Sequence, residues 1–96
     1  MHPLCRIAAA IGNEPDAGRR TELDRLAEQV FGKDAWDPVA GAVAADMPPP
    51  EPTGPVRYNE VSAMDWYTAL HTEPVLSGTD PTGRAIVLAL DELLFG

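Results

Sequence analysis

Few side chains in this sequence have both the type and the spacing that chemistry requires. His2 and Cys5 stand three residues apart, a spacing from which two ligands can reach one metal ion, and His71 offers a third donor. A structural zinc site needs four ligands in fixed geometry, and two of these three fall in the first five residues, where chain ends fray. Cys5 is therefore read as a small apolar side chain and His2 as a solvent-exposed one. Ser62, Asp65 and His71 supply the residue types of a hydrolytic triad. No nucleophile elbow surrounds either serine, and Ser62 is better placed as a helix cap. The pairs Asp91 with Glu92 and Asp34 with Asp37 bring carboxylates together, but on solvated helix faces nothing raises one pKa for acid work.

The segment GTDPTGRA, Gly78 to Ala85, has the glycine spacing of a phosphate-binding loop leading into a helix. Arg84 stands where that loop needs lysine, Ala85 where it needs a hydroxyl for magnesium, and Asp80 adds a negative charge. A capped helix start accounts for the same residues. No catalytic residue, metal ligand, cofactor site or small-molecule ligand is expected.

The helix that follows, Asp80 to Phe95 (DPTGRAIVLALDELLF), carries the strongest local signals in the chain. Asp80 caps it and Pro81 occupies the first turn, where a missing N–H is harmless. At 100° per residue Ile86, Val87, Leu90, Leu93 and Leu94 share one face, with Arg84, Asp91 and Glu92 opposite. Leu88 and Phe95 break the pattern by falling inside the polar sector. A helix that is apolar nearly all round is central to its domain or seats a partner.

The remaining elements are expected to be helical too. Leu4, Ile7, Ala8 and Ile11 recur at helical spacing, opened by Pro3 and closed by Gly12 in a left-handed cap. Residues 13–20 read as a loop because of Pro15, Asp16 and Gly18. A second helix then runs from a Thr21 cap to Gly32, with Leu23, Leu26, Ala27, Val30 and Phe31 on one side. These two are expected to form an antiparallel hairpin. Asp37-Pro38 repeats the cap-then-proline signature and starts a third helix running to about Met47. Prolines 48, 49, 50, 52 and 55 cannot continue it, so 48–55 is an extended, proline-rich connector or a strap over the core. PPPEP lacks the spacing and flanking base of a ligand for proline-reading domains. Val56 to Val61 alternates loosely, and a short strand there is the alternative to an all-helical fold. From Ser62 a fourth helix buries Ala63, Trp66, Tyr67 and Leu70 until Pro74 stops it. The expectation is one mainly α domain over 1–96, a small bundle of about five short helices.

Composition narrows the function further. Fourteen of the 43 apolar residues are alanine, which implies a modest core with close helix approach. The formal charge is −8, and the basic residues are six scattered arginines and Lys33. That balance disfavours direct nucleic-acid binding and adhesion to anionic membranes. The longest apolar run, Ala85 to Leu90, is far too short to span a bilayer. A lone Cys5 permits no intrachain disulfide. Arg6, inside the first apolar run, argues against a signal peptide, so the expected setting is cytoplasmic.

The expected function is non-enzymatic protein contact, as a homodimer or as an inhibitor, adaptor or accessory subunit. Leu88 and Phe95 form its centre, Tyr67 extends it, and Asp91 and Glu92 at the rim steer a basic partner. The alternatives are an acidic nucleic-acid mimic that blocks a DNA-binding protein and a small enzyme or metal protein.

Overall fold

The computed structural model describes residues 2–52, 56–72 and 80–96. It is mainly α, with five helices among the described residues: α1 (Pro3–Gly12), α2 (Ala17–Phe31), α3 (Lys33–Ala44), α4 (Glu60–Thr72) and α5 (Pro81–Phe95). The expected stop at Pro74, the turn residues Ser77 to Thr79 and the end of the proline tract at 53–55 lie outside the described residues.

α1, not α5, is the central element. Seven of its ten residues are buried, and it packs against α5, α3 and α2. Its small residues allow this: a Cβ added at Gly12 would lie 2.5 Å from Val43 Cγ1 of α3. Gly12 therefore serves a close approach rather than the left-handed cap expected of it. The cap residue is Asn13, whose φ is −91°. The expected α1–α2 hairpin is only a minor contact, because α1 turns its broadest surface to α5. The helices close a ring, α1 on α5, α5 on α4, α4 on α2 and α2 on α1, with α3 packed against the α1–α2 side. One buried cluster joins residues from before and after the proline tract, including Ile7, Leu23, Trp36, Trp66 and Ile86.

Three helix starts differ from expectation, each for a local reason. Asp16 Oδ1 accepts the Gly18 and Arg19 N–H groups at 2.9 and 3.2 Å, so α2 begins four residues before Thr21. Thr21 instead donates its hydroxyl to the Ala17 carbonyl one turn back. α3 begins at Lys33 and carries Pro38 inside. Helical backbone through 33–37 is what buries Trp36, which stacks on Phe31 and donates to Asp24 Oδ1 at 2.8 Å. That packing outweighs the one hydrogen bond Pro38 removes. Asn59, not Ser62, caps α4, its Oδ1 accepting the Ser62 N–H at 3.0 Å.

Gly32, at φ 82°, joins α2 to α3 in a conformation open mainly to glycine. α3 ends at Ala44 rather than Met47. There the Asp46 N–H reaches the Val43 carbonyl and the Met47 N–H that of Ala42, the paired bonds of a Schellman motif, with Asp46 at φ 56°.

No strand forms among the described residues, so the α+β alternative, with a short strand over 56–61, does not hold there. Residues 56–59 are non-helical and pinned instead: the Asn59 N–H donates to the Val30 carbonyl at 2.7 Å, and the Tyr58 hydroxyl donates to the Leu93 carbonyl at 3.3 Å. The described part of the proline tract lies against the start of α1. Cys5 Sγ approaches the Pro50 carbonyl at 3.6 Å, and Glu51 accepts the His2 N–H at 3.2 Å.

Candidate contact surface

The outer face of α5 is built by the helix period. Its inner side buries Ile86, Ala89 and Leu90 against α1 and α4. The residues at half a turn from these, Arg84, Leu88, Asp91 and Phe95, are all exposed, and at spacings of four, three and four they form one line along the helix. Leu88 is 59% exposed and Phe95 63%, which is unusual for side chains of this size.

The other expected contact residues separate into two groups. Tyr67 leans from α4 towards the stripe, its ring edge-on to Phe95 with centroids 5.6 Å apart and its hydroxyl donating to Asp91 Oδ1 at 3.5 Å. Glu92 lies towards α1 and pairs with Arg6. Glu92 is thus paired with a cation within the chain, which reduces its pull on anything outside, whereas Asp91 accepts one long bond from a neutral hydroxyl and keeps its exposed charge. His71, stacked edge-on against Tyr67 at 4.7 Å, joins the aromatic group. His71 follows Tyr67 by four residues, a spacing that sets both on one side of α4 and is legible in the sequence. On α4 Val61 (72%) and Met64 (41%) are also exposed, and both were missed.

The residues weighed for chemistry have other duties. His2 Nδ1 accepts the Leu4 N–H at 3.1 Å and caps α1, so His2 is half-buried rather than free in solvent. Cys5 is wholly buried, and that burial, followed by the charge of Glu51, pushes its thiol above the ordinary cysteine value. Asp80 caps α5 by accepting the Gly83 N–H at 2.7 Å, which occupies the donor a phosphate would use. It also pairs with Arg19, and that bond holds its carboxyl below the usual aspartate range. Arg19 reaches Glu14 as well, at 3.0 Å, and Glu14 is only 5% exposed. No group of three or more potential metal ligands occurs among the described residues. No described helix is long and apolar enough to cross a membrane.

Two hollows accompany these features. One of about 530 Å³ lies among α1, α2 and α3, with Ile11, Trp36 and Val43 below and Arg20 and Asp24 at its rim. Arg20 donates to the Glu14 carbonyl at 3.2 Å and Asp24 accepts from Trp36, so both groups also hold the fold. The other, about 430 Å³, lies beside Glu14, Pro15 and Asp80. Comparison with protein-family models, with curated proteins and with solved structures gives no match.

Proposed function

We propose that this protein acts without catalysis, by protein–protein contact through the outer stripe of α5. The observation that carries the reading is the exposure of Leu88 and Phe95 on one line of a helix whose opposite side is fully packed. Covering what remains exposed of each is worth about 1–2 kcal/mol, and the edge-on contact with Tyr67 already holds the Phe95 ring in place. An inhibitor, an adaptor, an accessory subunit and a self-associating protein all use such a face. A cytoplasmic setting fits this reading, because a buried free thiol such as Cys5 is typical of reducing compartments.

At least eight of the fifteen acidic residues cap helices, pair with arginine or accept other protein donors: Glu14, Asp16, Glu22, Asp24, Glu51, Asp80, Asp91 and Glu92. More than half of the carboxylates are thus engaged in the chain's own fold rather than free to imitate a phosphate backbone, which favours contact through apolar side chains over nucleic-acid mimicry.

Leu88→Glu tests the reading. The substituted side chain is exposed on a helix, so circular dichroism and thermal midpoint should match the parent. Association, followed by sedimentation and by pull-down with the purified chain as bait, should be lost. Unchanged association would remove the proposed face.

A further inference from the structure

We propose that the occupant of this stripe is the same stripe on a second copy of the chain, laid antiparallel about a two-fold axis beside Leu88. This rests on the contact reading above and adds the partner and the register.

The whole chain carries a formal −8, yet the stripe itself holds one cation, Arg84, and one anion, Asp91, on either side of Leu88. It is locally neutral and polar along its length, positive towards the start of α5 and negative towards its end. A strongly basic partner would meet Arg84 and an acidic one Asp91. A parallel copy would set Arg84 against Arg84 and Asp91 against Asp91. Reversing the second copy sets each arginine against an aspartate, twice over, because a two-fold contact repeats itself.

Register follows from helix geometry. An axis beside Leu88 brings Leu88 against its own copy and places Arg84, within one residue of level, opposite Asp91. Phe95 lies about 10 Å along the helix from that axis, at a rise of about 1.5 Å per residue. Pro81 lies the same distance on the other side and is exposed, so each Phe95 ring meets the Pro81 ring of the other copy. The spacing of four, three and four that aligns the four side chains is also the spacing of a coiled-coil seam. With only one helix per copy meeting, the covered area falls at the small end for stable pairs. The expected dissociation constant is micromolar or weaker.

Sedimentation of the intact chain from micromolar to millimolar concentration reads the pairing. The parent should dimerise in a concentration-dependent way. Arg84→Asp alone and Asp91→Arg alone should each weaken the dimer by about tenfold, since each faces like charges. The double variant Arg84→Asp with Asp91→Arg should recover it, because the exchanged charges pair again. Oxidative cross-linking then tests direction: Leu88→Cys should link to itself, and Phe95→Cys should not, while the buried Cys5 stays out of reach. A Phe95→Cys self-link, or a double variant as weak as the singles, would overturn the antiparallel register.

A parent chain that stays monomeric at millimolar concentration overturns self-pairing altogether. The contact reading is then judged separately, by whether Leu88→Glu abolishes binding to a purified heterologous partner. A dimer indifferent to Leu88→Glu and to both charge reversals would overturn the pairing and the face together.

Discussion

Two tryptophans of equal burial make unequal bonds. Trp36 and Trp66 are 1% and 2% exposed. The Trp36 indole N–H has a carboxylate partner in Asp24 at 2.8 Å, whereas that of Trp66 has no hydrogen-bond partner among the described residues. Replacing either by phenylalanine removes similar volume. At Trp36 the change also discards a bond to a charged acceptor and leaves Asp24 partly buried without its donor, while at Trp66 it removes a donor that was already unmet. Trp36→Phe is therefore expected to cost about 1–2 kcal/mol more than Trp66→Phe in urea unfolding. Equal losses would mean that the Asp24 bond contributes nothing net. Cys5 shows the same dependence on surroundings: it is wholly buried in the core, and that burial raises its thiol above the ordinary cysteine value.

At the scale of elements, α1 comes close to α3 at Gly12. Alanine is worth roughly 1 kcal/mol over glycine within a helix, which alone would predict a gain for Gly12→Ala. The added Cβ would sit 2.5 Å from Val43 Cγ1, and a β-branched side chain has few rotamers into which to retreat. Overpacking of this kind costs about 1–3 kcal/mol, so the net effect should be a loss. Val43→Ala in the same chain should reverse the sign, leaving Gly12→Ala neutral or stabilising there. Thermal melts of the four chains decide it, and additive effects would sink the contact. Helices with both a clean apolar stripe and matching end residues, α5 above all, were legible from sequence. α3 was not, because Asp37-Pro38 imitates a helix start while the burial of Trp36 draws the helix back to Lys33. The central place of α1 was hidden as well, since periodicity shows that a helix has a buried side and not which helices cover it. The outer stripe of α5 was legible for the opposite reason, as exposure on a regular helix follows from angle alone.

For the molecule as a whole, ion pairs join parts of the chain that are remote in sequence, and those of Arg19 are more buried than the Arg6–Glu92 pair. Arg19, in the first turn of α2, binds Glu14 in the α1–α2 loop and also Asp80, 61 residues away at the start of α5, with Nη2 to Oδ1 at 3.1 Å. Neither pairing shows in local spacing, so the sequence offered Asp80 only as a cap. The Arg19 bond holds the Asp80 carboxyl below its ordinary value of 3.8. A carboxyl lowered on folding stabilises the native state fully above that ordinary value, and loses the contribution as pH falls through the depressed one. The Asp80 side chain is 42% exposed, which screens its share, whereas Glu14 at 5% cannot easily be left charged without its cation. Arg19→Gln should then lower stability by about 2 kcal/mol at neutral pH. As pH falls through the depressed Asp80 value the gap to the parent should narrow, because the Arg19–Asp80 pairing is lost once that carboxyl is protonated. Urea unfolding at neutral pH and across the acid range measures the two curves. If they run parallel down to low pH, Arg19 holds the start of α5 by packing its hydrocarbon stem and not by charge.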